Sequence, residues 1–94
     1  MNSDNASEDN ASINILYFAS LAESLGCECE SFNLACEKVS VADLKQQLAA
    51  RGEQWQRLIN APSTRCAVNQ SLAEDEQVLA SNDEVAFFPP VTGG

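Results

Sequence analysis

The best amphipathic helix pattern in this chain falls near its middle, and β-type apolar runs stand on both sides of it. From Val41 to Arg51, the apolar residues Val41, Leu44 and Leu48 fall on one face with Ala49 alongside, while Asp43, Lys45, Gln46 and Arg51 fall mostly elsewhere. Ser40 followed by Asp43 is an N-cap signature, because the short side chains can satisfy backbone N–H groups that the first turn leaves unpaired. Gly52 stops the helix. One amphipathic helix must bury its stripe against something, so the flanking runs have to supply a sheet.

Ile13-Asn14-Ile15-Leu16-Tyr17-Phe18 is rich in β-branched and aromatic residues and reads as a strand. Its apolar end is nearly continuous, which predicts a central strand buried on both faces. Ser20 with Glu23 has the spacing of a capping box for a short helix or turn over Leu21 to Leu25, closed by Gly26 as a left-handed cap. Cys27 to Leu34 alternates loosely and reads as a second strand paired with the first. Trp55 and Leu58 predict a short helical turn folded back on the core. Arg65 to Asn69 reads as a third strand, Leu72 and Val78-Leu79 as short apolar pieces around the solvated loop Glu74-Asp75-Glu76, and Asn82-Asp83 as a turn. Glu84 to Phe88 is the last strand, ended by Pro89-Pro90 because proline has no N–H to give a ladder. The fold class is α+β: a mixed sheet of about four to five strands with one main helix packed across it. Residues 1–11 are small and polar and read as a flexible acidic extension, residues 12–88 as the domain, and residues 89–94 as an extended tail.

Charge narrows the partners. Five Lys and Arg face 14 Asp and Glu, a formal net charge of −9. A chain this acidic has no basic patch with which to displace counterions from a phosphate backbone, so nucleic acid is not an expected partner; a basic protein surface is. The absence of histidine removes the commonest general base and metal ligand, so no His-based triad or zinc site and no bound metal are expected. No apolar run approaches the ~20 residues that span a bilayer, and the acidic start is unlike a signal peptide. The expectation is a cytoplasmic protein that does not engage membranes, with free thiols at Cys27, Cys29, Cys36 and Cys66 and two void Asn-x-Ser sequons at Asn5 and Asn10.

The chemistry concentrates at the end, Phe87-Phe88-Pro89-Pro90-Val91-Thr92-Gly93-Gly94. A strand leaves the sheet and becomes an arm that reaches on the order of 20 Å at ~3.3 Å per residue, kept extended by its prolines. Gly93 and Gly94 lack Cβ, so a narrow channel in a partner can close around them, and an unhindered carboxylate projects from the tip. Chance supplies a terminal Gly-Gly in about one chain in two hundred; a strand and a Pro-Pro arm in front of it make chance a weaker explanation. A carboxylate is a poor electrophile, and the chain has no phosphate-binding loop. Activation therefore falls to another protein, with ATP-dependent adenylation as the natural route and attack by a sulfur nucleophile leaving a thiocarboxylate.

This tail, with Asp83-Glu84-Val85 before it, Ala67-Val68-Asn69-Gln70 upstream and the opening strand Leu16-Tyr17-Phe18-Ala19, resembles the small subunit of molybdopterin synthase. The resemblance covers residues 13 to 94 and is most specific over the last twelve. It implies a ubiquitin-like β-grasp fold and a sulfur carrier whose Gly94 is adenylated by a ubiquitin-activating-like adenylyltransferase and converted to a thiocarboxylate. The tail, Pro89, Pro90, Val91, Thr92 and Gly93 with it, then enters the large subunit and delivers sulfur to cyclic pyranopterin monophosphate, two transfers making one dithiolene. It further implies a heterotetramer, catalytic residues on the large subunit, and no cofactor on this chain beyond the covalent thiocarboxylate. A docking patch falls by resemblance on Leu72, Phe87 and Phe88, with Pro89 nearby, although adjacent strand residues face opposite ways and one phenylalanine can be core.

Other readings stay open. A thiamine-type sulfur carrier also ends in Gly-Gly, though the Phe-Phe-Pro-Pro context argues against it. A ubiquitin-like modifier joined to lysines begins from the same acyl-adenylate. A β-grasp interaction module without acyl chemistry is the plainest alternative. The cysteines lack the C-x₄-C-x₂-C spacing of a plant-type iron–sulfur site and read as buried, inert thiols.

Overall fold

Strand β1 (Ala11–Tyr17) begins the fold one residue ahead of the expected Ser12. The computed structural model describes residues 11–34 and 38–89; the expected extension over 1–10, Cys36, and the tail residues Pro90, Val91, Thr92, Gly93 and Gly94 lie outside them. After β1 come α1 (Ala19–Leu25), β2 (Cys29–Leu34), α2 (Val41–Ala49), α3 (Glu53–Ile59), β3 (Arg65–Val68), β4 (Ser71–Leu72) and β5 (Glu84–Phe88). The five strands form one mixed sheet in the order β2-β1-β5-β3-β4. β1 and β5 run parallel, with Leu16 opposite Ala86. The pairs β1/β2, β3/β5 and β3/β4 are antiparallel.

Strand parity sorts the side chains. Ile13, Ile15 and Tyr17 of β1, Val85 and Phe87 of β5, and Cys66 and Val68 of β3 face one side and are buried there with Val41, Leu44 and Leu48 of α2 and Ile59 of α3. Each large apolar side chain in that layer is worth roughly 1.5–3 kcal/mol of burial. The capping box at α2 is present: the Ser40 hydroxyl accepts from the Asp43 N–H at 3.1 Å, and the Ser40 N–H donates to Asp43 Oδ2 at 3.1 Å. The strap from Asp75 to Leu79 runs across that helix start, with the Val41 N–H donating to the Gln77 carbonyl at 2.8 Å and the Leu79 N–H to the Val39 carbonyl at 2.8 Å.

Two expectations are corrected. β1 is not buried on both faces: Asn14 and Phe18 are exposed and Leu16 is half-buried, because the helices cover only one side of the sheet. The Ser20/Glu23 capping box does not form; α1 already begins at Ala19, its N-cap is Phe18, and no side chain caps it. Ser20 thus sits inside the first turn, where its hydroxyl is past the capping position. Gly26 does close α1 in the left-handed region at φ 69°.

A polar cluster ties the edge strand to the helices. The Arg51 guanidinium donates to both carboxylate oxygens of Glu30, at 2.8 and 2.9 Å, and the Tyr17 hydroxyl donates to Glu30 Oε2 at 2.7 Å. Arg51 also stacks over Trp55, 4.5 Å from the ring centre. Arg51 holds the Glu30 carboxyl below its ordinary range, while burial first and the Glu30 bond second push the Tyr17 phenol far up.

Candidate functional site

The uncovered face of the sheet is where sequence and structure converge. On β5 the residues that alternate with the buried Val85 and Phe87 point away from the helices: Glu84, Ala86 and Phe88. Parallel pairing brings Leu16 of β1 beside Ala86. Antiparallel pairing brings Ala67 beside Ala86 and Arg65 beside Phe88 on the other flank. Leu72 of β4 lies opposite Ala67. The result is an open groove of about 340 Å³ walled by Leu16, Phe18, Ala67, Leu72, Ala86 and Phe88, with Gln70 and Glu84 on its rim.

This groove is apolar and open to solvent. Leu72 is 70% and Phe18 48% exposed, which is unusual for side chains of that size grouped on one surface. Acidic residues stand near it: Glu84 on the rim, and Glu74, Asp75 and Glu76 in the loop that begins two residues after Leu72. Asp75 is engaged by Lys45 at 2.8 Å. Exposed apolar side chains lining an open groove describe a protein-docking face better than a small-molecule pocket, which encloses its ligand.

Of the expected site residues, Leu72 and Phe88 meet in this groove, and Pro89 is half-buried directly after the strand. Phe87 is removed from the expected patch. It is 0% exposed on the helix side, stacked on Tyr17 at 6.1 Å between ring centres, because strand parity sends it opposite to Phe88. Sequence reasoning missed Leu16, Phe18, Ala67 and Ala86 as groove residues. The signal for the first two is an apolar run too continuous for one face, which by itself implies burial on both faces. Gly94, Gly93, Thr92, Val91 and Pro90 lie outside the described residues; the last described residue, Pro89, adjoins Phe88 at the end of the groove.

The described cysteines are free, with Cys29 exposed, Cys27 half-buried and Cys66 buried. Burial pushes the Cys66 thiol up to about 11, and burial followed by the nearby Glu30 charge raises Cys27. Cys27 and Cys66 are thus held in the less reactive protonated form, while the exposed Cys29 corrects the expectation of buried thiols throughout. Among the described residues no three His, Cys, Asp or Glu side chains are grouped to hold a metal ion, and no helix is long and apolar enough to cross a membrane.

Residues 15–94 match the ThiS family. The molybdopterin synthase sulfur carrier subunit of Escherichia coli K12 is 38% identical over 82 residues, which are 87% of this chain and 99% of the relative. The subunit of the same name from Haemophilus influenzae Rd is 33% identical over the same shares. Among solved structures, the protein assigned as molybdopterin converting factor subunit 1 from Pyrococcus furiosus superposes with a TM-score of 0.75 at 25% identity, covering 86% of this chain and 99% of its own. SAMP1 from Haloferax volcanii, a small archaeal modifier protein, gives 0.74 at 26% identity over 88% and 99%. One chain of the complex of subunits 1 and 2 of molybdopterin-converting factor from Helicobacter pylori gives 0.60 at 20% identity over 88% and 99%, a likeness of fold. The ubiquitin-like β-grasp architecture is shared across these neighbours. The chain therefore belongs to the ThiS family, as a homologue of the molybdopterin synthase sulfur carrier subunits.

Proposed function

We propose that this chain carries sulfur on its C-terminal glycine as the small subunit of a molybdopterin synthase. The observation that carries the reading is the exposed apolar groove at the foot of a strand that runs into a Gly-Gly terminus. A carrier of this kind needs a rigid docking face beside a thin, extended arm. The names of the curated relatives support the same role.

In this reading the Gly94 carboxylate attacks the α-phosphate of ATP on an adenylyltransferase, releasing pyrophosphate and leaving an acyl-adenylate. A sulfur nucleophile displaces AMP and leaves the thiocarboxylate. The groove, through Leu72 and Phe88, seats the chain on the large synthase subunit, and the tail presents its sulfur to cyclic pyranopterin monophosphate bound there. The Helicobacter pylori complex of subunits 1 and 2 supports a large-subunit partner. Two loaded chains serve each dithiolene, in keeping with a heterotetramer built on a dimer of large subunits, and the work is done in the cytoplasm. This chain's own part is to bind, orient and deliver; the groups that act on the pterin belong to the partner.

The likeness to SAMP1 favours a second reading, conjugation to lysines of other proteins after the same first step. Intact-mass measurement separates the two. Incubation with the adenylyltransferase, ATP and a sulfur donor is expected to replace one oxygen of the chain by sulfur. A ladder of conjugates without that product would favour the modifier, and no ATP-dependent change would overturn both.

A further inference from the structure

Asn69 joins two parts of the chain that lie far apart in sequence. With Gln70 it forms the two-residue turn between β3 and β4, and both have positive φ, 52° and 73°, as the primed hairpin turns require. Its main-chain N–H donates to the Glu84 carbonyl at 2.7 Å. Its side chain then works in both directions: Oδ1 accepts from the Glu84 N–H at 3.0 Å, and Nδ2 donates to Asp83 Oδ1 at 3.0 Å. The other oxygen of Asp83 accepts from the Ala80 N–H at 2.8 Å. One exposed amide thus clamps the turn to the start of β5.

What the clamp holds is β4, a strand of only two residues with two register pairs to β3. The Ala73 N–H, just beyond it, donates to the Cys66 carbonyl at 3.0 Å. Leu72 is too exposed to be fixed by its own packing; it inherits its place from the turn that precedes it. It also forms the wall of the groove on the β4 side.

We propose that Asn69 is a positioning residue for the docking groove, holding Leu72 where it completes the wall across from Phe88. The proposal rests on the reading of that groove as the docking face. An aspartate at the position would set a carboxylate against Asp83 and lose the donor, whereas exchanging the two residue types regenerates the same bond with donor and acceptor reversed and restores the net charge.

The test compares Asn69→Asp, the double variant Asn69→Asp with Asp83→Asn, and Leu72→Ala. Affinity for the large synthase subunit and amide exchange at Ala73 are measured for each. Asn69→Asp is expected to weaken binding about tenfold, the size of a coupled contact, and to speed exchange at Ala73 while core amides such as Val85 stay protected. The double variant is expected to restore both. Unchanged exchange at Ala73, or binding that the exchanged pair fails to restore, overturns the proposal. Unchanged binding in Leu72→Ala overturns the docking reading instead, and the Ala73 rate still decides whether the clamp exists.

Discussion

Phe87 and Phe88 are neighbours in β5 that serve opposite sides of the sheet: Phe87 is fully buried against Tyr17, and Phe88 walls the open groove. Truncating them should therefore have separable effects. Phe87→Ala leaves a cavity in the layer between sheet and helices and should cost about 3–5 kcal/mol in chemical unfolding. Phe88→Ala should cost far less stability but weaken binding to the large subunit. A Phe88→Ala variant that unfolds early yet binds normally would remove it from the docking face.

Leu72 gives a simpler version of the same contrast. Its side chain is already mostly in water, so Leu72→Ala should move stability by no more than about 0.5 kcal/mol, as for ordinary surface changes. A calorimetric melt that matches the parent, with lower affinity in titration against the large subunit, is the expected pair of results.

The Glu30 carboxylate makes a pH-dependent contribution. Hydrogen bonds from Arg51 lower its folded value below the ordinary 4.5. A depressed carboxylate stabilises the fold above the unfolded value, and that contribution is lost as pH falls through the folded one. Urea unfolding of the parent and Glu30→Gln should therefore differ most at neutral pH and converge once acid takes the pH below the depressed folded value. Glu30→Ala, which strips the Tyr17 hydroxyl and Arg51 of their acceptor, should cost about 1–3 kcal/mol at pH 7. A difference that grows toward low pH would contradict the assignment.

The thiols should be labelled in order of access. At pH 8 a small alkylating reagent should modify the exposed Cys29 readily and Cys66 hardly at all. Burial leaves on the order of one Cys66 in a thousand as thiolate at that pH, given its value near 11. Peptide mapping after brief labelling reads this directly, and denaturant should make Cys66 as reactive as the others.

Much of this architecture was legible in the residues. The period of Val41, Leu44 and Leu48 and the Ser40/Asp43 cap describe α2 as it stands, and the run Glu84 to Phe88 stopped by Pro89-Pro90 describes β5. What was not legible depends on partners distant in sequence. Leu16 looked like a residue of a doubly covered strand because nothing local says that Ala86 lies beside it or that the far side of the sheet is bare. Glu30 lies within a loosely alternating strand that says nothing of its partners; its acceptor role depends on Arg51, twenty-one residues away. Ser20 has the right neighbour for a cap but is the second residue of a helix that begins at Ala19, two residues past its N-cap Phe18. The groove was half legible: Leu72 and Phe88 came from resemblance, while Phe18, Leu16, Ala67 and Ala86 needed the strand order.

Sulfur transfer itself is the most direct measurement. The chain is loaded with labelled sulfur at Gly94 and mixed with the large synthase subunit and cyclic pyranopterin monophosphate, and the label is followed. Label should pass to the pterin, with two loaded chains consumed for each dithiolene formed and the chain returned as its carboxylate. Label that stays on the chain in the presence of both partner and substrate, or that reaches the pterin equally well from a chain lacking Gly94, would contradict the proposed role.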